Sequence, residues 1–537
     1  MSAARERLAG WATAALLVGA GWTLMAAWIA PSVTPTVPEV ARRLWADLDF
    51  YGPHILTTVQ EAAWGWLWGN LAAIIIGSLI VLSRALAPFL ERLAVAVYAV
   101  PLLAIGPILQ IVTTGATTKI VLAALAVFFT TTVTWVLGLR SADRAMLDVV
   151  HAAGGGALSG FAKVRARAAL PLLFAGLQIA APAAVLGAII GEYLGGTRGL
   201  GVAMIQSQSS FAVDRTWALA IVISALVGLA YGVTGLIGRL LLPWAGKESP
   251  IPIMQLGSHR ISGMWLRLGV GLGTALAIIA LWWALLDVFA LHPYFAYRPA
   301  DVWQFLIDPG RAAERADLWD ASLQTLLHTG VGFSVGLVAS VAMAVAVVLS
   351  PVIDRVVTPV SIALRSIPII AMTPLIVLVF GRNLGAVVVI VGLVTFFPTL
   401  VAMTTAMRNA PAAACELVAV YGGSALRQLR TVRLPSAVPA LFASIRIAIP
   451  GAVGGALLAE WLATGQGLGS LMLRATASSR FGVVWTAAVV VVAASVAGYL
   501  LVGAIESRVD RRMTHGSTLP TARVRVPTPG RSASLLG

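Results

Sequence analysis

Few residues in this chain could do bond chemistry, and their arrangement argues against catalysis. The six histidines are scattered and Cys415 is the single cysteine. Spacing therefore assembles no nucleophile–base pair and no metal-ligand cluster, no disulfide can form within one chain, and Cys415 reads as a packing residue. No Gly-x-x-x-x-Gly-Lys-Ser/Thr run occurs. Gly246-Lys247 is followed by Glu248 and lacks the upstream glycine, so the chain has no phosphate loop with which to bind ATP. What it does carry is a mechanical element, from Glu416 through Gly422 to Leu434 and Pro435. The Ala-rich stretch before Gly422 favours a short helix, and the Gly422-Gly423 pair permits a sharp turn. A second short helix is expected next, apolar at Leu426, Leu429 and Val432 and basic at Arg427, Arg430 and Arg433. Proline is expected to end it and open the following helix. Such an element can enter a groove on a partner and move the helix it is joined to. The alternative is an ordinary loop whose arginines only fix topology.

The element occurs twice. Adding 268 to each number carries the stretch Asp148–Gly201 onto its second copy without a gap: Asp148 meets Glu416, Gly154 meets Gly422, Pro171 meets Pro439 and Glu192 meets Glu460. Upstream, Arg140 meets Arg408 at the same offset, while Pro101 and Pro368, Pro107 and Pro374, and Gly65 and Gly332 pair at 267. The chain is two units fused head to tail.

The elements that position these segments are membrane helices. Apolar residues make up 59% and charged residues 11%, where soluble domains carry roughly 25% charged. Six apolar runs per half approach the ~20 residues that span a bilayer. They lie near 9–30, 57–83, 93–113, 117–139, 171–194 and 216–243, then 265–291, 322–350, 357–380, 384–406, 439–463 and 482–503. The first run is expected to be retained as a helix and not removed as a secretory signal. The fold class is thus an all-α membrane protein of about twelve transmembrane helices, as two parallel six-helix repeats, each with a helix-turn-helix on the cytoplasmic side. The first unit is 1–245, a cytoplasmic linker is 246–262, the second unit is 263–512, and 513–537 reads as a disordered cytoplasmic tail able to touch anionic lipid. The net charge of +15 collects in alternate loops, for example at Arg140, Lys163, Arg165, Arg430 and Arg433. This is the positive-inside pattern and not a nucleic-acid footprint, and it puts both termini in the cytoplasm.

The doubled segment resembles the coupling motif of ABC importer permeases: Glu-Ala-Ala, three residues, Gly, nine residues, Ile-x-Leu-Pro. Glu416, Gly422 and Leu434-Pro435 match that spacing, with Leu417-Val418 in place of Ala-Ala. The first copy departs further, with Asp148 for the glutamate and Ala166-Arg167 for Leu-Pro, while Gly154 keeps its place. Gly191-Glu192 with Gly199-Leu200-Gly201, and Ala459-Glu460 with Gly467-Leu468-Gly469, look like the nitrate, sulfonate and taurine branch, to which permeases for pyrimidine vitamin precursors are similar. The resemblance covers both halves. It implies a bacterial inner-membrane permease that is not itself an enzyme. It further implies two separate ATP-binding subunits, carrying the ATP and magnesium, docked at Asp148, Gly154, Glu416, Gly422, Arg427, Leu434 and Pro435. An extracytoplasmic binding protein would deliver the solute.

Polar groups inside helices are costly and so are candidates for the solute route. Arg365 and its counterpart Tyr98, Arg446 and its counterpart Gln178, and the pair Glu192 and Glu460 are the main ones. Glu61, its counterpart His328, and Gln110 are weaker candidates. Two arginines in one half suggest a small anionic solute, although both could equally reach out to the membrane surface. The glutamates could contact the route, a docked protein or Arg198, or be structural. Pro101, Pro107, Pro368 and Pro374 either break their helices, freeing carbonyls to line a cavity, or only kink them. Two rivals remain. An ion-gradient transporter with two six-helix halves would need a basic loop between helices two and three, which 84–92 does not form. A membrane enzyme would need the catalytic cluster that is missing.

Overall fold

The structure is a computed structural model that describes residues 19–24, 26–27, 33–83, 85–244, 264–357 and 369–515. The first half contains α1 (Val37–Ala46), α2 (Leu48–Leu82), α3 (Ala87–Ala99), α4 (Leu102–Val112), α5 (Thr117–Arg140), α6 (Arg144–Ala152), α7 (Ala157–Gly160), α8 (Ala166–Leu194), α9 (Leu200–Ser209) and α10 (Val213–Leu241). The second contains α11 (Met264–Val288), α12 (Pro299–Ile307), α13 (Ala312–Leu349), α14 (Ile369–Phe380), α15 (Leu384–Arg408), α16 (Ala412–Val420), α17 (Ala425–Gln428), α18 (Leu434–Ala459), α19 (Gly467–Ala477) and α20 (Phe481–His515). No strand occurs among the described residues.

Nine helices are long and apolar enough to cross a membrane, and ten if one bent pair is counted as a span, among the described residues. The bent pair, α3 and α4, turns through 90° where a single helix over 93–113 was expected. Of the twelve expected spans, the first and the ninth fall partly on residues outside those described. So do Arg365 and Pro368, the linker 246–262, and the tail beyond His515.

Lipid offers helices little hydrophobic drive to associate, so small residues that allow close approach do the work. On α2, a Cβ at Gly69 would collide with the Ala124 backbone of α5, and on α13 a Cβ at Gly336 would collide with Gly392 of α15. These glycines are repeat mates, and the same helix pair is closed in the same way in each half. A buried polar contact adds to it in the first half, where Thr131 donates to Asn70 Oδ1 at 2.5 Å.

The halves interlock. Helix α4 of the first half packs on α18, α19 and α20 of the second, and α14 of the second packs on α8, α9 and α10 of the first. Leu103 and Ala104 share one apolar core with Leu457, Leu468 and Met472. Polar contacts cross the seam as well: Ser495 donates to the Ala99 carbonyl at 2.6 Å, and Gln208 to the Pro374 carbonyl at 3.4 Å.

The prolines divide. Pro101 lies at the 90° break between α3 and α4, whereas Pro107 sits inside α4 and Pro374 inside α14. Those two helices continue through their prolines, so a break at either position is corrected to an uninterrupted helix.

Candidate functional site

Each helix–glycine–helix segment is built from the residues singled out in the sequence. Asp148 lies on α6 and Glu416 on α16, neither of which buries any residue. The chain then turns at Gly154 and Gly422, with φ of +78° and +73°. Gly422 N–H donates to the Ala419 carbonyl at 2.9 Å and Gly423 N–H to the Val418 carbonyl at 2.8 Å; Gly154 and Gly155 repeat both bonds, at 2.9 and 2.8 Å. This paired closure answers the last carbonyls of the helix and needs a left-handed residue at its first glycine. No atom lies within 4 Å of where a Cβ would sit at Gly154 or Gly422. The backbone angle, and not crowding, demands glycine there.

Beyond the turn the structure departs from expectation. Pro435 does not end the second short helix. Helix α17 runs through a π-helical turn at Leu429–Arg433 directly into α18, as α7 runs through Phe161–Arg165 into α8. The π turn occurs in both halves although only one carries the proline, so the proline is not its cause. Pro435 is the second residue of α18, directly after the π turn. Phe161 and its repeat mate Leu429 are the anchors: Leu429 is buried among Leu400, Met403 and Met407, and Phe161 packs beside Leu139 and Ala169. The segment and its spanning helix are therefore one continuous rod. Its free surface mixes apolar and basic side chains and is unequal in the two halves. Val420 and Tyr421 are 84% and 80% exposed, where the first copy has Ala152 and Ala153.

Roughly 40 Å further along, at ~1.5 Å per residue, lie Glu192 near the end of α8 and Glu460 at the start of the π-helical turn Glu460–Thr464 that follows α18. They are 2% and 0% exposed. Glu192 accepts from the Thr58 hydroxyl at 2.6 Å and from the Gly201 N–H at 2.6 Å. Glu460 accepts from Thr325 at 3.0 Å and from the Gly469 N–H at 2.9 Å, and contacts His328 Nδ1 at 2.9 Å. Each threonine in turn accepts the N–H of Leu200 or Leu468, at 2.9 and 2.8 Å. The carboxylates thus cap the N-termini of α9 and α19, where the helix dipole favours negative charge, and tie them to α2 and α13. Gly199 and Gly467 have positive φ, and a Cβ on either would overlap the carboxylate. Thr58 and Thr325 are repeat mates at 267, a signal present in the sequence but not legible without the fold. The residues beside the carboxylates differ between halves: Lys119 pairs with Glu61 at 3.1 Å in the first, and His328 takes the position of Glu61 in the second.

Among the remaining candidates, Arg446 pairs with Glu506 at 3.1 Å and lies over the Tyr499 ring at 5.2 Å. It faces Gly503 of α20, as its mate Gln178 faces Gly235 of α10. Gln110 donates to the Leu194 carbonyl at 2.9 Å, closing the end of α8. Among the described candidates, only Tyr98 faces the space between the halves. It lines a cavity of about 340 Å³ bounded by α3, α4, α5 and α8 on one side and α15 and α18 on the other. The repeat mates Ala126 and Val394, and Thr130 and Pro398, both reach it, so it lies on the axis relating the halves. Tyr98 stacks on Phe129 with centroids 4.2 Å apart and donates to the Ile447 carbonyl at 2.6 Å.

The geometry is that of two repeated rods around a shared cavity, and the match to known proteins is doubled as well. The family described as the binding-protein-dependent transport system inner membrane component matches twice, at residues 69–245 and 336–515. A probable ABC transporter permease of Haemophilus influenzae is 34% identical over 182 residues, 34% of this chain and 74% of that protein. A riboflavin transport system permease of Chloroflexus aurantiacus is 35% identical over 120 residues, 22% of this chain and 45% of its own length. The taurine transport system permease of Escherichia coli is 23% identical over 223 residues, 41% of this chain and 81% of its own. The chain belongs to the family of binding-protein-dependent transport inner membrane components, as a multi-pass membrane protein carrying two of its permease units in one polypeptide.

Proposed function

We propose that this chain is the permease subunit of an ATP-driven ABC importer in a bacterial inner membrane, with both termini cytoplasmic. Units 1–245 and 263–512 form the two halves. The observation that carries the reading is the pair of exposed helix-turn-helix segments, each closed by a left-handed glycine and each continuous with a spanning helix. Force applied by an ATP-binding subunit at Asp148–Gly154 or Glu416–Gly422 would reach α8 and α18 without a flexible joint, with Arg427, Leu434 and Pro435 on the second rod. ATP and magnesium would reside on two partner subunits, no cofactor on this chain, and a binding protein would deliver the solute on the opposite side.

For the solute, a small anion is one reading. Arg365, at the repeat position of the cavity-lining Tyr98, would be its counter-charge. An uncharged ring compound is the second reading, favoured by the described lining of the cavity.

Gly422→Val tests the coupling role. A β-branched residue at φ +73° is disfavoured by about 1–2 kcal/mol or more, enough to reshape the exposed turn while leaving the buried anchor at Leu429 alone. In a reconstituted complex, uptake per ATP hydrolysed should fall severalfold with the membrane unit still folded. Unchanged coupling, or uptake driven by an ion gradient without ATP, would overturn the proposal.

A further inference from the structure

Of the described residues lining the cavity between the halves, only Tyr98 and Thr130 carry a polar side-chain atom, and none is charged. The Tyr98 hydroxyl already donates to the Ile447 carbonyl. An ion entering here would shed its water and meet no opposite charge from that lining, which is strongly unfavourable. A small inorganic anion would also fill only a fraction of about 340 Å³, a volume typical of sites for organic ligands.

The walls are shaped for something flat. Gly454 leaves one wall of α18 bare, a Cβ there meeting only Pro101 Cβ at 3.7 Å, and the stacked pair Tyr98 and Phe129 faces into the same space. In the first half Leu186 stands at the repeat position of Gly454, so this opening belongs to the second half alone. The polar groups left for a ligand are mainly acceptors. Pro101 and Pro398 have no N–H, so the carbonyls of Val97 and Val394, both on lining residues, lack the donor four positions ahead.

We propose that the cavity binds an uncharged planar heteroaromatic solute that donates ring N–H groups to these carbonyls, its faces against Gly454 on one side and the Tyr98–Phe129 pair on the other. The proposal rests on the reading of this cavity as the solute route.

Binding to the purified full-length chain in nanodiscs tests it without any ATPase subunit, so a failure of the importer reading would show separately, in the coupling assay. The probes are lumichrome and hypoxanthine as uncharged N–H heterocycles, and nitrate and ethanesulfonate as anions. A Cβ at Gly454 meets only Pro101 Cβ, at an ordinary 3.7 Å, so Gly454→Ala keeps the fold. Gly454→Leu should then fill the cavity. The expected result is saturable binding of at least one heterocycle, weakened at least tenfold in Gly454→Leu and little in Gly454→Ala, with no saturable binding of either anion. Anion binding, heterocycle binding unchanged in Gly454→Leu, or no binding of either heterocycle would overturn it.

Discussion

Alanine at Gly467 and alanine at Gly465 should differ sharply in effect, although the two glycines are two residues apart. Both are left-handed, with φ of +84° and +68°, so either alanine carries about 1–2 kcal/mol of backbone penalty. At Gly465 no atom lies within 4 Å of the new Cβ, and that penalty is the whole effect. At Gly467 the Cβ overlaps the Glu460 carboxylate. That carboxylate is fully buried and engages Thr325 at 3.0 Å, Gly469 N–H at 2.9 Å and His328 at 2.9 Å. Displacing it leaves a buried carboxylate without its hydrogen-bond donors, which costs about 3–5 kcal/mol. Gly467→Ala should therefore destabilise by roughly 4–7 kcal/mol, against ~1–2 for Gly465→Ala, and this is a large share of a typical ~5–15 kcal/mol total. The assay is thermal unfolding of the full chain in nanodiscs, followed by tryptophan fluorescence, together with the yield of folded protein. A double-mutant cycle with Glu460→Ala separates collision from backbone strain. Once the carboxylate is gone, adding Gly467→Ala should cost only the backbone penalty. If Gly467→Ala is as mild as Gly465→Ala, or if the two changes add, the carboxylate cap is not what Gly467 serves.

Arg446→Met removes the guanidinium beside Glu506 and above Tyr499, and should lower stability by about 1–3 kcal/mol. Since Arg446 faces α20 and not the cavity, the KM for uptake should stay within about twofold, where 1.4 kcal/mol would be tenfold; a tenfold rise would place it in the route. Tyr421→Ala trims a side chain that is 80% exposed beside Val420. As an aromatic anchor on a docking surface it should weaken retention of the ATP-binding subunits about 5- to 30-fold, or ~1–2 kcal/mol. Unchanged retention in a pull-down of the reconstituted complex would remove it from that surface.

Much of the architecture was legible because its signals are local. Long apolar runs must be helices in lipid, where each backbone polar group needs a partner within its own segment. A doubled glycine at one offset marks a doubled turn whatever surrounds it, and Gly154 and Gly422 turn as expected. A proline carries a weaker local signal, since it can end a helix, kink it or sit in its first turn, and neighbours decide among these. Pro101 marks a right-angle break, Pro107 and Pro374 are carried inside helices, and Pro435 opens α18 without a stop.

By itself, then, the sequence determined that this protein is a membrane-embedded pair of related units with a repeated helix–glycine–helix segment. Composition, hydropathy and a constant offset are properties of the chain, independent of which residues meet. Only the tertiary structure decided what the polar residues do. Glu192 and Glu460 could have faced the solute; contacts from residues more than 130 positions away bury them as helix caps instead. Arg446 could have lined the route; Glu506, sixty residues on, draws it to the last helix. Tyr98 had no signal beyond its repeat position, and the right-angle turn at Pro101 brings it to the axis between the halves. A buried polar side chain takes whatever partner the packing supplies, and that choice lies in contacts remote along the chain.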